Sequence, residues 1–335
     1  MSVKKWFELS NDTRRNIFDQ VGTTQGLPST AIEKDWWVTL MLQLVFSTPY
    51  APHLVFKGGT SLSKGWRLIE RFSEDIDLAI DRSFLGFSGD LSRSQVKKLR
   101  KASLHFLTGD FYQSLAEIIT TQEIPEIDIQ IPEIVSSDAD PIQIECHYES
   151  IREGSPYLRP RVIIEIGSRS LIEPAENRSV QSMVDEEYAD QEFAVGPVEI
   201  PTVLPQRTFL EKVFLLHEEF QKPIEKVRVD RLSRHLYDID QLMDSEFCNI
   251  ALADRELYIT IVTHRRSFNA VKAVDYDSLY YPDTIDFIPP EEVLDGWKAD
   301  YERMQESMIY GKSRPFVSLL ERLIALRERF RSITW

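Results

Sequence analysis

The sequence predicts an α+β protein: a lobe built on a small mixed sheet from residue 1 to about 200, then a mainly helical lobe over 201–335. Three observations carry this expectation. Asp75–Ile80 and Ile142–Glu149 alternate at the strand period of two, and Arg161–Gly167 is a third, more apolar strand. Apolar residues recur at helical spacing in Ile32, Trp36, Leu40 and Leu44, and again in Leu232, Leu236, Ile239 and Met243. A chain of 335 residues is long enough for two domains, or for one domain with a large helical addition.

Composition removes several classes of function. The two cysteines, Cys146 and Cys248, make neither a disulfide framework nor a metal pattern. Six scattered histidines show no His-x-x-x-His spacing, and no serine sits in a Gly-x-Ser-x-Gly elbow, which sets zinc and triad chemistry aside. No apolar run approaches a membrane span or a signal peptide, so the expected location is the cytosol. The formal net charge of −15 runs against a nucleic-acid binder, whose footprint is usually basic. Any RNA contact must then be local, at Arg93, Lys97, Lys98, Arg100 and Lys101, or at Arg265, Arg266 and Lys272. Such charge runs are more often solvated helix faces than substrate contacts.

Taken in order, residues 1–22 read as a short helix capped near Asn11 or Asp12, closed by the break Gly26-Leu27-Pro28. A capping box at Thr30 and Glu33 starts the next helix, with Glu33, Lys34 and Asp35 beside its apolar stripe as a surface ion pair or a functional group. The organising stretch follows, from Val55 to Asp81. Gly58 and Gly59 end a short apolar run and let the backbone turn with positive φ and approach a ligand. Thr60 and Ser61 then open a helix, where hydroxyls and free N–H groups suit a phosphate. Leu62, Trp66 and Ile69 continue that helix to Arg71 and leave Lys64, Arg67 and Arg71 outside its buried face.

The strand period then places Asp75 and Asp77 on one face, opposite Ile76, Leu78 and Ile80. Like charges repel, and the common reason to set two carboxylates together is a hard divalent cation shared with substrate phosphates. A glycine pair alone is usually a turn, and Asp-x-Asp alone is usually a solvated face. Joined in this order, they are a kit for phosphoryl or nucleotidyl transfer. No Gly-Lys-Ser/Thr closes the loop, so it is not a Walker A site.

Later elements are less distinctive. A helical stretch runs from about Leu91 to Gln122, followed by an acidic, proline-spaced segment. On the strand Arg161–Gly167, Glu165 shares the face of Arg161 and Ile163, as a third metal carboxylate or as the partner of Arg161. Residues 172–195 are acidic and read as an exposed excursion. A capping box at Thr208 and Glu211 puts Lys212 in the first turns of a helix to Phe220. Arg231, Arg234, His235 and Asp238 then share a face, which spacing alone reads as a solvated ridge with an Arg234–Asp238 pair.

The stretch LVFKGGTSL followed by RFSEDIDL resembles the signature of the polymerase-beta-like nucleotidyltransferases and, more narrowly, the AbiEii/AbiGii toxin family of nucleotidyltransferase-like proteins, related to the MenT toxins. The gap from Thr60 to Asp75 is at the long end for that superfamily, which leaves either Thr60 or Ser61 as the phosphate-facing hydroxyl. TFLEKVFLLH and RLSRHLYDI are similar to later motifs of the same toxins, and Trp297–Tyr301 with Met304 and Met308 to their C-terminal part.

The resemblance implies a nucleotidyltransferase-type sheet lobe, with the nucleotide between it and the helical lobe. Asp75, Asp77, Lys212 and Asp238 are then catalytic; Gly58, Gly59, Thr60, Ser61, Arg71 and Ser73 bind the nucleotide; and Asp75, Asp77 and Glu165 bind Mg²⁺ or Mn²⁺. It implies a toxin of a toxin–antitoxin or phage-defence system that transfers NMP from an NTP to RNA, such as the 3′ end of tRNA, and a winged-helix antitoxin as partner. The same residues would also serve a kinase-like phosphotransferase or a protein-nucleotidylating enzyme, and a catalytically silent binding module is the alternative of a different class.

Overall fold

The computed structural model describes residues 3–73, 75–152, 159–269 and 271–335, so Glu74 of the RFSEDIDL motif lies outside the described residues. The chain divides into two compact units, one of residues 1–66 and 72–203, the other of residues 67–71 and 204–335.

The first unit is organised on a mixed sheet of seven strands: β1 (Leu54–Lys57), β2 (Asp75–Ile80), β3 (Ile127–Gln130), β4 (Ile142–Tyr148), β5 (Arg161–Gly167), β6 (Ala175–Val180) and β7 (Val198–Val203). Their spatial order is β3-β4-β5-β2-β1-β7-β6. β2 runs parallel to β5 and β1 parallel to β7, while the other neighbours are antiparallel. Alternation decides which face is core: Ile76, Leu78 and Ile80 are buried with Ile144, Val162 and Ile164. The helix Ser29–Val45 packs on β2 and β5 and is buried almost throughout.

Several expectations need correction here. The helix Ser29–Val45 has no side-chain cap because its N-cap is Pro28, which carries no side-chain acceptor, and the Glu33 carboxylate accepts instead from Ser150 Oγ at 2.7 Å and from Ile151 N at 2.9 Å. Burial raises the Glu33 pKa, although those hydrogen bonds oppose the rise. Lys34 Nζ donates to the carbonyls of Arg159 and Arg161, and Asp35 accepts from Met183 N at 2.8 Å. All three side chains are buried, which overturns the surface ion pair. The segment expected as an exposed excursion carries β6 and the helix Met183–Glu187.

The second unit is mainly helical, with helices Pro205–Phe220, Ser233–Leu242, Glu246–Ala253, Arg255–Phe268, Leu294–Ser307 and Phe316–Arg331 around a core that includes Phe214, Leu236, Tyr258, Trp297 and Leu323. Residues 67–71 join it by backbone pairing: the Glu70 carbonyl accepts from Tyr310 N at 3.0 Å and Gly311 N at 3.2 Å. Among the described residues no helix is long and apolar enough to cross a membrane.

Candidate active site

The end of β1 and the start of β2 lie side by side, with Lys57 opposite Asp77 in the antiparallel register. Gly58 follows with φ +77°, in the region that side chains disfavour. A Cβ at Gly58 would stand 2.1 Å from Asp77 Oδ2, so the Asp77 carboxylate leans directly over the Gly58 backbone. Glycine is required here both for its φ and for the space its missing side chain leaves.

One turn of helix, Gly58–Thr60, passes straight into a π-turn, Ser61–Gly65. The hydroxyls expected to face a phosphate point elsewhere. Thr60 Oγ1 donates to Ser73 Oγ at 2.8 Å and shares a short contact with the Asp75 carbonyl, while Ser61 Oγ donates to the Gly58 carbonyl at 2.9 Å. Both are fully buried, so Thr60 with Ser73 ties the turn to the head of β2, Ser61 closes the turn on itself, and the Gly58 backbone is left under the Asp77 carboxylate. The helix expected to reach Arg71 ends at Gly65, and Arg67 has φ 55°. Lys64, expected to be unengaged, pairs with Asp35 at 2.5 Å.

Asp75 and Asp77 share one face of β2 and are half-buried. The parallel register sets Glu165 level with Asp77, on the same face. Arg161 pairs with Glu145 at 2.6 Å, and His147 takes the other Glu145 oxygen at 2.9 Å, so the proposed Arg161–Glu165 bridge is replaced. Glu165 instead accepts from Gln143 Nε2 at 3.1 Å. Among the described residues the Asp77 side chain has no hydrogen bond or ion pair. No three His, Cys, Asp or Glu side chains among those residues form a ready cation cage. Two carboxylates on one face are nevertheless what Mg²⁺ takes when substrate phosphates complete its shell, so Asp75 and Asp77 fit a metal bound together with a nucleotide.

The second unit holds a different cluster. Asp238 is 0% exposed, Arg71 2% and Lys212 6%. Arg71 grips Asp238 with two hydrogen bonds, Nε to Oδ1 at 2.6 Å and Nη2 to Oδ2 at 2.7 Å, and Lys212 Nζ lies 2.8 Å from Oδ2. This replaces the solvated ridge and its Arg234–Asp238 pair, and it places Arg71 in a buried ion pair rather than on an open helix. Burial alone would push the Asp238 pKa up, but the charges and hydrogen bonds of Arg71 and Lys212 prevail and hold it well below the usual range. Burial draws the Lys212 pKa down, and Asp238 offsets this against the added repulsion of Arg71 and Arg234.

Two local expectations about this cluster also change. The helix begins at Pro205, so Thr208 is no cap, its Oγ1 has no partner among the described residues, and Lys212 stands two turns inside rather than at the positive end. Arg231 has φ 58° and precedes the helix Ser233–Leu242.

Of the basic groups, Arg93, Lys97, Lys98 and Lys101 are exposed on the helix Arg93–Phe106, while Arg100 donates to the Asp138 carbonyl at 2.7 Å. Arg265 is locked to Glu218 at 2.6 and 2.8 Å and Arg266 to Asp277 at 2.6 Å, so the second basic group is largely neutralised. Lys57 was absent from the expected site, although counting back from Gly58 along β1 would have found it.

The chain is similar to MenT4, a nucleotidyltransferase toxin from Mycobacterium tuberculosis, at 17% identity and a TM-score of 0.48, covering 96% of this chain and 87% of that one. No curated protein matches the sequence. The family described as "Nucleotidyl transferase AbiEii toxin, Type IV TA system" matches over residues 40–329. By that match the chain belongs to the AbiEii nucleotidyltransferase toxin family of type IV toxin–antitoxin systems.

Proposed function

We propose that this nucleotidyltransferase uses Mg²⁺ held by Asp75 and Asp77 to transfer NMP from an NTP to an RNA acceptor, with the 3′ end of tRNA as the expected acceptor. The observation that carries the reading is Asp77: a half-buried carboxylate without a partner among the described residues, beside Asp75 and over the backbone of Gly58. The metal, when bound, would lower the pKa of the acceptor hydroxyl and neutralise charge on the triphosphate. The acceptor oxygen bonds to the α-phosphorus and loses its proton to water. The bridging P–O bond breaks, and its electron pair leaves on pyrophosphate.

Gly58 and Gly59 receive the phosphates along their backbone, with Thr60, Ser61 and Ser73 holding that turn in shape. Glu165 stands level with Asp77 to add a carboxylate. Within the second unit, Asp238 together with Arg71 fixes Lys212, the proposed catalytic lysine.

The partner proposed is a winged-helix antitoxin, and the setting is cytosolic phage defence. The net charge of −15 favours a second reading, in which the acceptor is a protein. Incubation with each α-labelled NTP, Mg²⁺ and a cell extract decides between them. Label in RNA supports the first reading, label in protein the second, and no label with any NTP contradicts both.

A further inference from the structure

The geometry points to Lys57 as a catalytic residue: the cation that meets the nucleotide's phosphates beside Asp77, a role resting on the metal reading above. Three observations converge on it. Lys57 ends β1 directly before the left-handed Gly58 and stands opposite Asp77, so strand pairing turns both side chains to the same face. The side chain of Lys57 is half-buried, and among the described residues it has no hydrogen bond or ion pair.

Asp77, its direct neighbour across the strands, is likewise without a partner, although Cα atoms at such a position lie only about 5 Å apart. Two opposite charges this close, in a partly enclosed place, ordinarily close an ion pair. Elsewhere in this unit they do, as Lys64 with Asp35 and Arg161 with Glu145. Lys57 and Asp77 stand unpaired among the described residues, one cation and one anion at the head of the glycine turn. That is the complement of a metal-bound phosphate, the metal on the carboxylate and the phosphate oxygens on the ammonium.

The assignment predicts effects of opposite sign on metal and on nucleotide. A cation beside a metal site repels the bare ion, so Lys57→Met should bind Mn²⁺ alone about threefold or more tightly than the wild type. The same variant should bind a non-hydrolysable NTP analogue with Mg²⁺ about tenfold or more weakly, and transfer should fall by about a hundredfold. Lys57→Arg should restore much of the analogue affinity, and Lys57→Gln, which keeps a polar side chain, should behave like Lys57→Met.

Calorimetric titration of the full chain with Mn²⁺ and then with the analogue reads both constants without turnover. Unchanged affinity for both ligands in Lys57→Met, while the wild type binds them, overturns the role of Lys57 and leaves the metal reading standing. A wild type that binds neither overturns both.

Discussion

Asp77 and Asp238 are two aspartates in the two units of one chain, and they end in opposite electrostatic states. Asp238 is completely buried, and both of its oxygens are taken, by Arg71 and by Lys212. Asp77 is half-buried beside a second carboxylate and a lysine, and among the described residues it holds neither a hydrogen bond nor an ion pair. A buried charge costs several kcal/mol unless paired, so Asp238 has to be satisfied within the protein. Solvent lowers that cost for Asp77, which can wait for a ligand. The contrast separates an aspartate satisfied within the protein from one left open to a ligand, although both carry the same side chain.

The largest effect expected is on the frame. Asp238→Ala leaves Arg71 and Lys212 buried without their anion and should cost about 3–5 kcal/mol in chemical denaturation. A loss under about 1 kcal/mol would erase the difference between Asp238 and Asp77, because the cluster would then be as dispensable as a surface pair.

Gly58→Ala comes next, and it has an internal control. Gly58 at φ +77° and Gly86 at φ +85° both occupy the left-handed region, so alanine should cost about 1–2 kcal/mol at either. Only at Gly58 does the new methyl meet the Asp77 carboxylate, since nothing lies within 4 Å of a Cβ at Gly86. Gly58→Ala should therefore impair transfer while Gly86→Ala leaves it intact. Equal transfer rates in the two variants would detach the turn from the chemistry.

A pH profile sharpens the role of Lys212. In its proposed catalytic role the Lys212 ammonium must be protonated, and burial draws its pKa below the ordinary 10.5, with Asp238 offsetting only part of the fall. Activity should then decline with rising pH earlier than an ordinary lysine would allow. Lys212→Arg, whose charge persists, should remove that alkaline limb. An identical limb in the variant assigns it to another group.

The smallest effect is expected at Glu165. Its carboxylate accepts one bond from Gln143, so Glu165→Gln should change stability by less than about 0.5 kcal/mol. A lowered Mn²⁺ affinity in that variant would add Glu165 to the metal ligands, and an unchanged one would remove it.

The parts legible in the sequence are those governed by local rules. β4 alternates cleanly and ends at Tyr148, one residue short of the expected Glu149, and the more apolar β5 has the expected limits, Arg161–Gly167. β6 and β7 were hidden because AENRSV is polar and VEIPTV carries a proline, so neither shows a clear period. The two capping boxes misled because a proline beside each start had already set the helix: Pro28 before Ser29 and Pro205 at the first position. Helical spacing in Leu62, Trp66 and Ile69 concealed that the backbone breaks after Gly65 and passes to the second unit.

At the site, the shared face of Asp75 and Asp77 followed from strand geometry alone. The partners of Thr60, Lys64, Arg71 and Asp238 did not, because they are set by contacts that lie up to 167 residues apart.

Asp77→Ala tests most directly whether Asp77, without a partner among the described residues, is kept for a metal-bound nucleotide. Its melting temperature and its Mn²⁺ titration are to be measured beside those of the wild type. The account predicts a melting temperature equal to or above the wild type, since removing one of two neighbouring carboxylates relieves repulsion, together with the loss of Mn²⁺ binding. Mn²⁺ binding as tight as in the wild type, or a large drop in melting temperature, would contradict it by showing Asp77 to be part of the frame.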